Sequence, residues 1–189
     1  MGRLDNRTIE QFKSHIEFTT AIEGKLMEAW SSSSNSGCEW YIDNGVDNGG
    51  GYIPDGVDTS DVDFIAKING LEVPLEMKFV PTSGKFTLKT NDMRNYIKKN
   101  ATVLLIFNLS ERSLKVPADL DIKKHWKRIG DTWKSGELKW ALVGPVTLQE
   151  MYENEEHHHI PYMGNKMGIV VGKNNYGKYF RLRSFKYAG

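Results

Sequence analysis

The run DVDFIAKINGLEVPLEMKF, residues 61–79, constrains this chain more than any other segment. Asn69-Gly70 predicts a two-residue type I′ hairpin turn, because that turn needs φ > 0 at both central positions and few residue pairs accept it. β-rich stretches flank the turn at 61–68 and 71–79. In the second, Leu75, Met77 and Phe79 share one face while Glu76 and Lys78 share the other, since side chains alternate along a strand. Asp63 lies on the partner strand, across the turn. The hairpin is therefore expected to hold two carboxylates and an ammonium on neighbouring strands, a cradle for a hard divalent cation beside a nucleophilic water. The competing reading of the same residues is a solvated hairpin face.

An Asp leading an apolar strand, a tight turn, and a strand closing on Glu-x-Lys resembles the PD-(D/E)XK nuclease superfamily. Within it, VDFIAKINGLEVPLEMKF resembles the cellular and phage Holliday junction resolvases, with small type II restriction endonucleases and freestanding phage or homing endonucleases close behind. The resemblance implies an α/β, restriction-endonuclease-like fold with an αβββαβ core, a mixed central sheet flanked by helices. It implies one nuclease domain over 1–189, with a catalytic core at about 9–108 and a basic, aromatic C-terminal extension over 109–189. The implied activity is Mg²⁺-dependent hydrolysis of DNA phosphodiester bonds, with Mn²⁺ able to substitute. Asp63, Glu76 and the backbone carbonyl of Met77 would hold the metal, and Lys78 would orient the water or stabilise the pentacovalent phosphate. Asp61, on the same strand face as Asp63, is the alternative ligand, and Asp58 a further one. Cutting both strands of a duplex or junction needs two sites, so a two-fold homodimer is the expected assembly.

Upstream, residues 8–30 read as an amphipathic helix, with Ile9, Phe12, Ile16, Thr19, Met27 and Trp30 on one stripe. Glu23 projects into that stripe, whereas Glu10, Glu17 and Glu28 fall on the polar side. A carboxylate facing a core is costly unless it meets a cation or a metal. The family supplies a reason, since many members aim a Glu from the first helix at the metal. A rotated or shortened helix would instead leave Glu23 at the edge of the buried face.

Residues 31–37 (SSSSNSG) end this helix, 39–42 form a candidate first strand, and 43–56 have the Gly/Asn/Asp content of a loop. The acidic residues there and just beyond (Asp43, Asp47, Asp55, Asp58, Asp61) lack the fixed spacing and distal Glu of a calcium loop. Past Lys78 come a polar connection at 81–85, a short 86–88 segment, a helix at 91–99 and a near-continuous apolar strand, TVLLIFN, at 102–108. Many relatives start that helix with Gln; here Asn91-Asp92 stand in its place, and Lys89 is the nearer polar candidate for contacting DNA.

The C-terminal half offers two basic, aromatic segments. In 123–139, Lys123, Lys124, Lys127 and Arg128 accompany Trp126 and Trp133, which lie about two helical turns apart. Such interleaving can track phosphates and stack on bases, or simply bury the tryptophans beneath a wet cationic face. In 173–187, alternation after Tyr179 predicts a strand with Phe180 and Leu182 on one side and Arg181 and Arg183 on the other. Residues 152–162, including His157, His158 and His159, read as an acidic-to-polar loop, with no third spaced ligand to complete a zinc set.

The net charge is only +1, so any nucleic-acid surface must be local. The single cysteine, Cys38, excludes an internal disulfide and suits a reducing compartment as a small residue beside Trp40. With no apolar run near the ~20 residues of a membrane span and no signal-peptide character at residues 1–6, a cytoplasmic protein without membrane contact is expected. A catalytically inactive nucleic-acid-binding module is the alternative from another class. A small-molecule hydrolase lacks both a nucleophile elbow and a phosphate loop here.

Overall fold

The computed structural model describes residues 23–44, 62–80, 85–107, 136–160 and 166–187, with Phe79 described by its backbone alone. Within them the chain is mixed α/β. Four α-helices are described: α1 (23–31), α2 (Thr90–Lys98), α3 (Pro145–Asn154) and the single-turn α4 (Tyr176–Tyr179). Strands β1 (Cys38–Asp43), β2 (Phe64–Ile68), β3 (Leu71–Val80), β5 (Thr102–Phe107), β6 (Gly136–Val143) and β9 (Arg183–Tyr187) form a six-stranded sheet in the order β1-β2-β3-β5-β6-β9. Strands β4 (Lys85–Lys89), β7 (His157–Ile160) and β8 (Lys166–Gly172) form a second sheet, ordered β4-β8-β7. All neighbours are antiparallel except β3 and β5, which run parallel with α2 between them in the chain. Among the described residues no helix is long and apolar enough to cross a membrane.

The hairpin forms as its turn residues dictate. Asn69 and Gly70 both take positive φ, 50° and 82°, and Ile68 pairs directly with Leu71. The turn is held from outside as well: the Asn69 amide donates to the Gly37 carbonyl at 2.9 Å, and the Gly70 amide to Glu39 Oε1 at 2.7 Å.

At its centre the large sheet is covered on both faces, which explains why the β5 sequence is apolar throughout. Val103, Leu105 and Phe107 point into a cluster with Met93 and Tyr96 of α2 and Leu148 and Met151 of α3. Leu104 and Ile106 point the other way, onto Leu26, Met27 and Trp30 of α1. Truncating Leu104 or Leu105 to alanine in so closed a setting would cost about 2–5 kcal/mol. On the α1 side, Trp30 meets Trp140 of β6 edge-to-face, 5.5 Å apart at 78°. The serines after α1 satisfy its last carbonyls: Ser33 Oγ donates to the Trp30 carbonyl at 2.7 Å and Ser36 Oγ to that of Ser31 at 3.1 Å.

Two sequence expectations need correcting. Within the expected 152–162 loop, residues 152–154 close α3 and residues 157–160 are a strand: β7 pairs antiparallel with β8 through backbone groups that any side chain leaves available. Its polar composition fits an edge strand, with His158 and His159 exposed. The last strand begins at Arg183 rather than after Tyr179, because residues 176–179 close a helical turn. That turn brings the Tyr176 and Phe180 rings within 5.1 Å of each other and both against Phe86 and Phe107. An extended chain, advancing about 3.3 Å per residue, would separate them.

Candidate active site

β2 and β3 part company at the site. Their register pairs Phe64 with Leu75; continued by one residue, it sets Asp63 opposite Glu76. There the alternation of β2 breaks. Phe64 packs on the α1 side of the sheet and Val62 on the α2 side, although residues two apart on a strand share a face. The chain turns over at Asp63, and the carboxylate fills the gap: Asp63 Oδ2 accepts the Met77 amide at 2.7 Å. Asn44 secures the departing segment, its backbone amide donating to the Asp63 carbonyl at 2.9 Å and its side chain to that of Val62 at 3.1 Å. Because a strand residue directs its N–H and C=O to the same edge, the Met77 carbonyl also faces the β2 side, toward Asp63.

Glu76 and Lys78 stand on the α2 face of β3. Glu76 is 5% exposed, and its Oε1 accepts two donors, the Lys78 ammonium and the Tyr96 hydroxyl, the latter at 2.8 Å. The Lys78 Nζ lies 6.0 Å from the centroid of the Tyr96 ring. Burial by itself would lower the Lys78 pKa, but the neighbouring Glu76 and Asp63 carboxylates outweigh it and hold the ammonium above its ordinary value. Lys78 is thus a fixed cation at neutral pH. Burial, reinforced by the neighbouring Glu76 carboxylate, pushes the Tyr96 hydroxyl up, so it remains a protonated donor.

The expected set is therefore brought together in part. Asp63, Glu76, Lys78 and the Met77 backbone meet at the open end of the hairpin. Glu23 keeps the helix face expected of it, half-buried and in register with Leu26, Met27 and Trp30. That face packs on the α1 side of the sheet, opposite the side bearing Glu76 and Lys78. Among the described residues no group of three or more His, Cys, Asp or Glu side chains is gathered to hold a metal. Asp58, Asp61, Lys123, Lys124, Lys127, Arg128, Trp126 and Trp133 lie outside the described residues, as does the part of the expected 8–30 helix before residue 23.

Lys89 is half-buried at the N-terminal end of α2 and pairs with Asp92 at 3.6 Å. Arg181 is exposed. Arg183 holds the turn after α1: its guanidinium lies 5.4 Å from the Trp140 ring centroid and donates to the Asn35 carbonyl at 3.1 Å.

Sequence reasoning missed two features. Tyr96 is one; its signal is an aromatic with a polar tip one helical turn beyond buried Met93. The other is a cleft of about 410 Å³ where α2 meets β7 and β8, lined by Lys89, Asp92, Arg94, His157 and Lys166. In it Arg94 Nε donates to the Tyr152 hydroxyl at 2.8 Å, and His157 Nε2 lies 2.8 Å from the Tyr152 carbonyl oxygen.

No protein-family model, curated protein or solved structure matches this chain.

Proposed function

We propose that this chain is a Mg²⁺-dependent DNA endonuclease of the PD-(D/E)XK superfamily, structure-selective in the manner of a Holliday junction resolvase and active as a two-fold homodimer. The observation that carries the proposal is the meeting of Asp63, Glu76 and Lys78 where β2 and β3 separate, with Asp63 on the Met77 amide and Lys78 on Glu76. Support for the restriction-endonuclease-like core comes from element order: α1, the antiparallel β1-β2-β3 meander, then, after β4 of the second sheet, α2 and β5 returning parallel to β3.

The donor set fits a hard cation. It consists of carboxylate and carbonyl oxygens without sulfur or imidazole, the preference of Mg²⁺ and Mn²⁺. Asp63, Glu76 and the Met77 carbonyl would hold it, and such an ion polarises a phosphodiester and makes water a stronger nucleophile. The chain's own residues do the rest. Asp63 and Glu76 would supply the negative charge that holds the cation. Lys78 keeps its proton and offers a hydrogen bond to a non-bridging phosphate oxygen, stabilising the charge that gathers there as phosphorus becomes five-coordinate. Phosphate groups beyond the scissile one can lie against the cationic side chains Lys89, Arg94 and Lys166 that line the cleft.

The test is cleavage of supercoiled plasmid, linear duplex and a synthetic four-way junction, with Mg²⁺ or EDTA, using wild type and Glu76→Ala purified alike. Metal-dependent cutting of the junction, lost in Glu76→Ala with binding retained, is the expected result. A fixed banding pattern on plasmid would instead assign a sequence-specific restriction or homing enzyme. Full activity in Glu76→Ala would sink the proposal, and tight DNA binding by wild type without cutting any substrate would favour an inactive binding module.

A further inference from the structure

Glu76 is a flexible side chain asked to present a carboxylate at one fixed point, and what fixes it comes from a different element. Tyr96 lies on the buried face of α2, 6% exposed, and its hydroxyl reaches across to Glu76 Oε1 at 2.8 Å. Lys78 reaches the same oxygen from its own strand. Both donors use Oε1, and neither of them engages Oε2. The same tyrosine offers its ring to the Lys78 ammonium, at the outer reach of a cation–π contact. One side chain from α2 therefore touches both functional groups of the Glu-x-Lys pair. Met93, one turn earlier in the helix, is fully buried and anchors this face of α2 in the core.

We infer that Tyr96 is a positioning residue of this site, selecting which Glu76 oxygen meets the metal and holding Lys78 beside it. The inference rests on the nuclease assignment above. Groups that orient metal ligands typically contribute 10–100-fold to metal affinity or activity. Tyr96 does so without touching metal or substrate, so its removal acts on metal dependence and leaves DNA recognition alone.

Tyr96→Phe is the discriminating variant: it keeps the ring in the core cluster and near Lys78 and deletes only the donor. Calorimetric titration of the full-length protein with Mn²⁺, without DNA, should show affinity weakened on the order of 10-fold. The Mg²⁺ concentration for half-maximal cleavage should rise by a similar factor, with KM for the DNA unchanged and excess Mg²⁺ restoring much of the rate. In a Glu76→Gln background the same substitution should add no further loss of Mn²⁺ affinity, because Tyr96 acts through that carboxylate. Thermal melts with circular dichroism establish that each variant is folded. A folded Tyr96→Phe protein that binds Mn²⁺ as tightly as wild type, or more tightly, overturns the role of Tyr96 and leaves the nuclease assignment intact. A wild-type protein that neither binds Mn²⁺ nor cuts DNA overturns the assignment itself.

Discussion

Asp63 Oδ2 accepts the Met77 amide at 2.7 Å, in the gap that opens where β2 leaves β3. The carboxylate thus serves the fold by satisfying a backbone donor and serves the proposed site by its charge, and these two services can be separated. Asp63→Asn keeps an oxygen for the amide and removes the charge, so it should melt close to wild type and lose metal-dependent cleavage. Asp63→Ala removes both, and leaving the amide unpaired should lower stability by about 1–3 kcal/mol in addition. Urea melts of the two variants read the difference. An asparagine variant as unstable as the alanine one would show that the hydrogen bond alone does not account for the site's geometry.

Lys78 and Glu76 are coupled, which gives a signed dependence on substitution and on pH. Lys78→Met strips a buried carboxylate of its cation and should destabilise by about 1–3 kcal/mol. Adding Glu76→Gln should recover part of that loss, so the double variant is more stable than the sum of the singles. The folded protein holds the Lys78 ammonium above its ordinary value, burial being outweighed by the Glu76 and Asp63 carboxylates. A raised pKa contributes stability that is fully present below the unfolded value, about 10.4, and is lost as pH climbs through the folded one. In metal-free alkaline melts, wild type should therefore lose more stability above that pH than Lys78→Met does. Parallel curves for the two proteins would argue against the pair.

The hairpin turn sets the register on which the site depends. Gly70 takes φ of 82° with open space around the position a Cβ would occupy, so Gly70→Ala meets backbone strain and no clash. The expected cost is roughly 1–2 kcal/mol. Because Glu39 and Gly37 hold the turn from outside, the register should survive, and the folded variant should cut at close to the wild-type rate. A variant that keeps its stability and loses cleavage would instead indicate a slipped register, since a shift of one residue turns Glu76 and Lys78 to the other face.

How much of this was legible beforehand divides along physical lines. The turn was, because positive φ at Asn69 and Gly70 is a local demand. The shared face of Glu76 and Lys78 was, because alternation needs no partner. Glu23 shows where local rules stop: its place on the buried helix stripe follows from periodicity, but which side of the sheet that helix covers is a matter of chain topology. Tyr96 was out of reach for a related reason, since its rotation toward Glu76 is set by how α2 packs on β5 and α3. The β7 strand needed β8 as its pairing partner, and an acidic-to-histidine sequence gives no sign of one. After Tyr179 a strand-like alternation competed with the packing of Phe180 on Tyr176, Phe86 and Phe107, and the packing won for residues 180–182.

The cleft beside α2 makes the last prediction, because its charges are unevenly matched. Lys89 is partly neutralised by Asp92 at 3.6 Å, and Arg94 is engaged with Tyr152, whereas Lys166 is exposed on β8. If DNA phosphates lie here, Lys166→Gln should weaken binding alike on every sequence and shallow the dependence of log K on log salt by about 1, as one phosphate contact is lost. Lys89→Gln should do less, because part of the Lys89 charge is already engaged by Asp92. Asp92→Asn should act in the opposite direction, tightening binding by freeing Lys89. Fluorescence anisotropy on a labelled junction over a salt series measures all three. An unchanged slope in Lys166→Gln, or weaker binding in Asp92→Asn, would take the DNA path away from this cleft and leave the hairpin site to be approached from another direction.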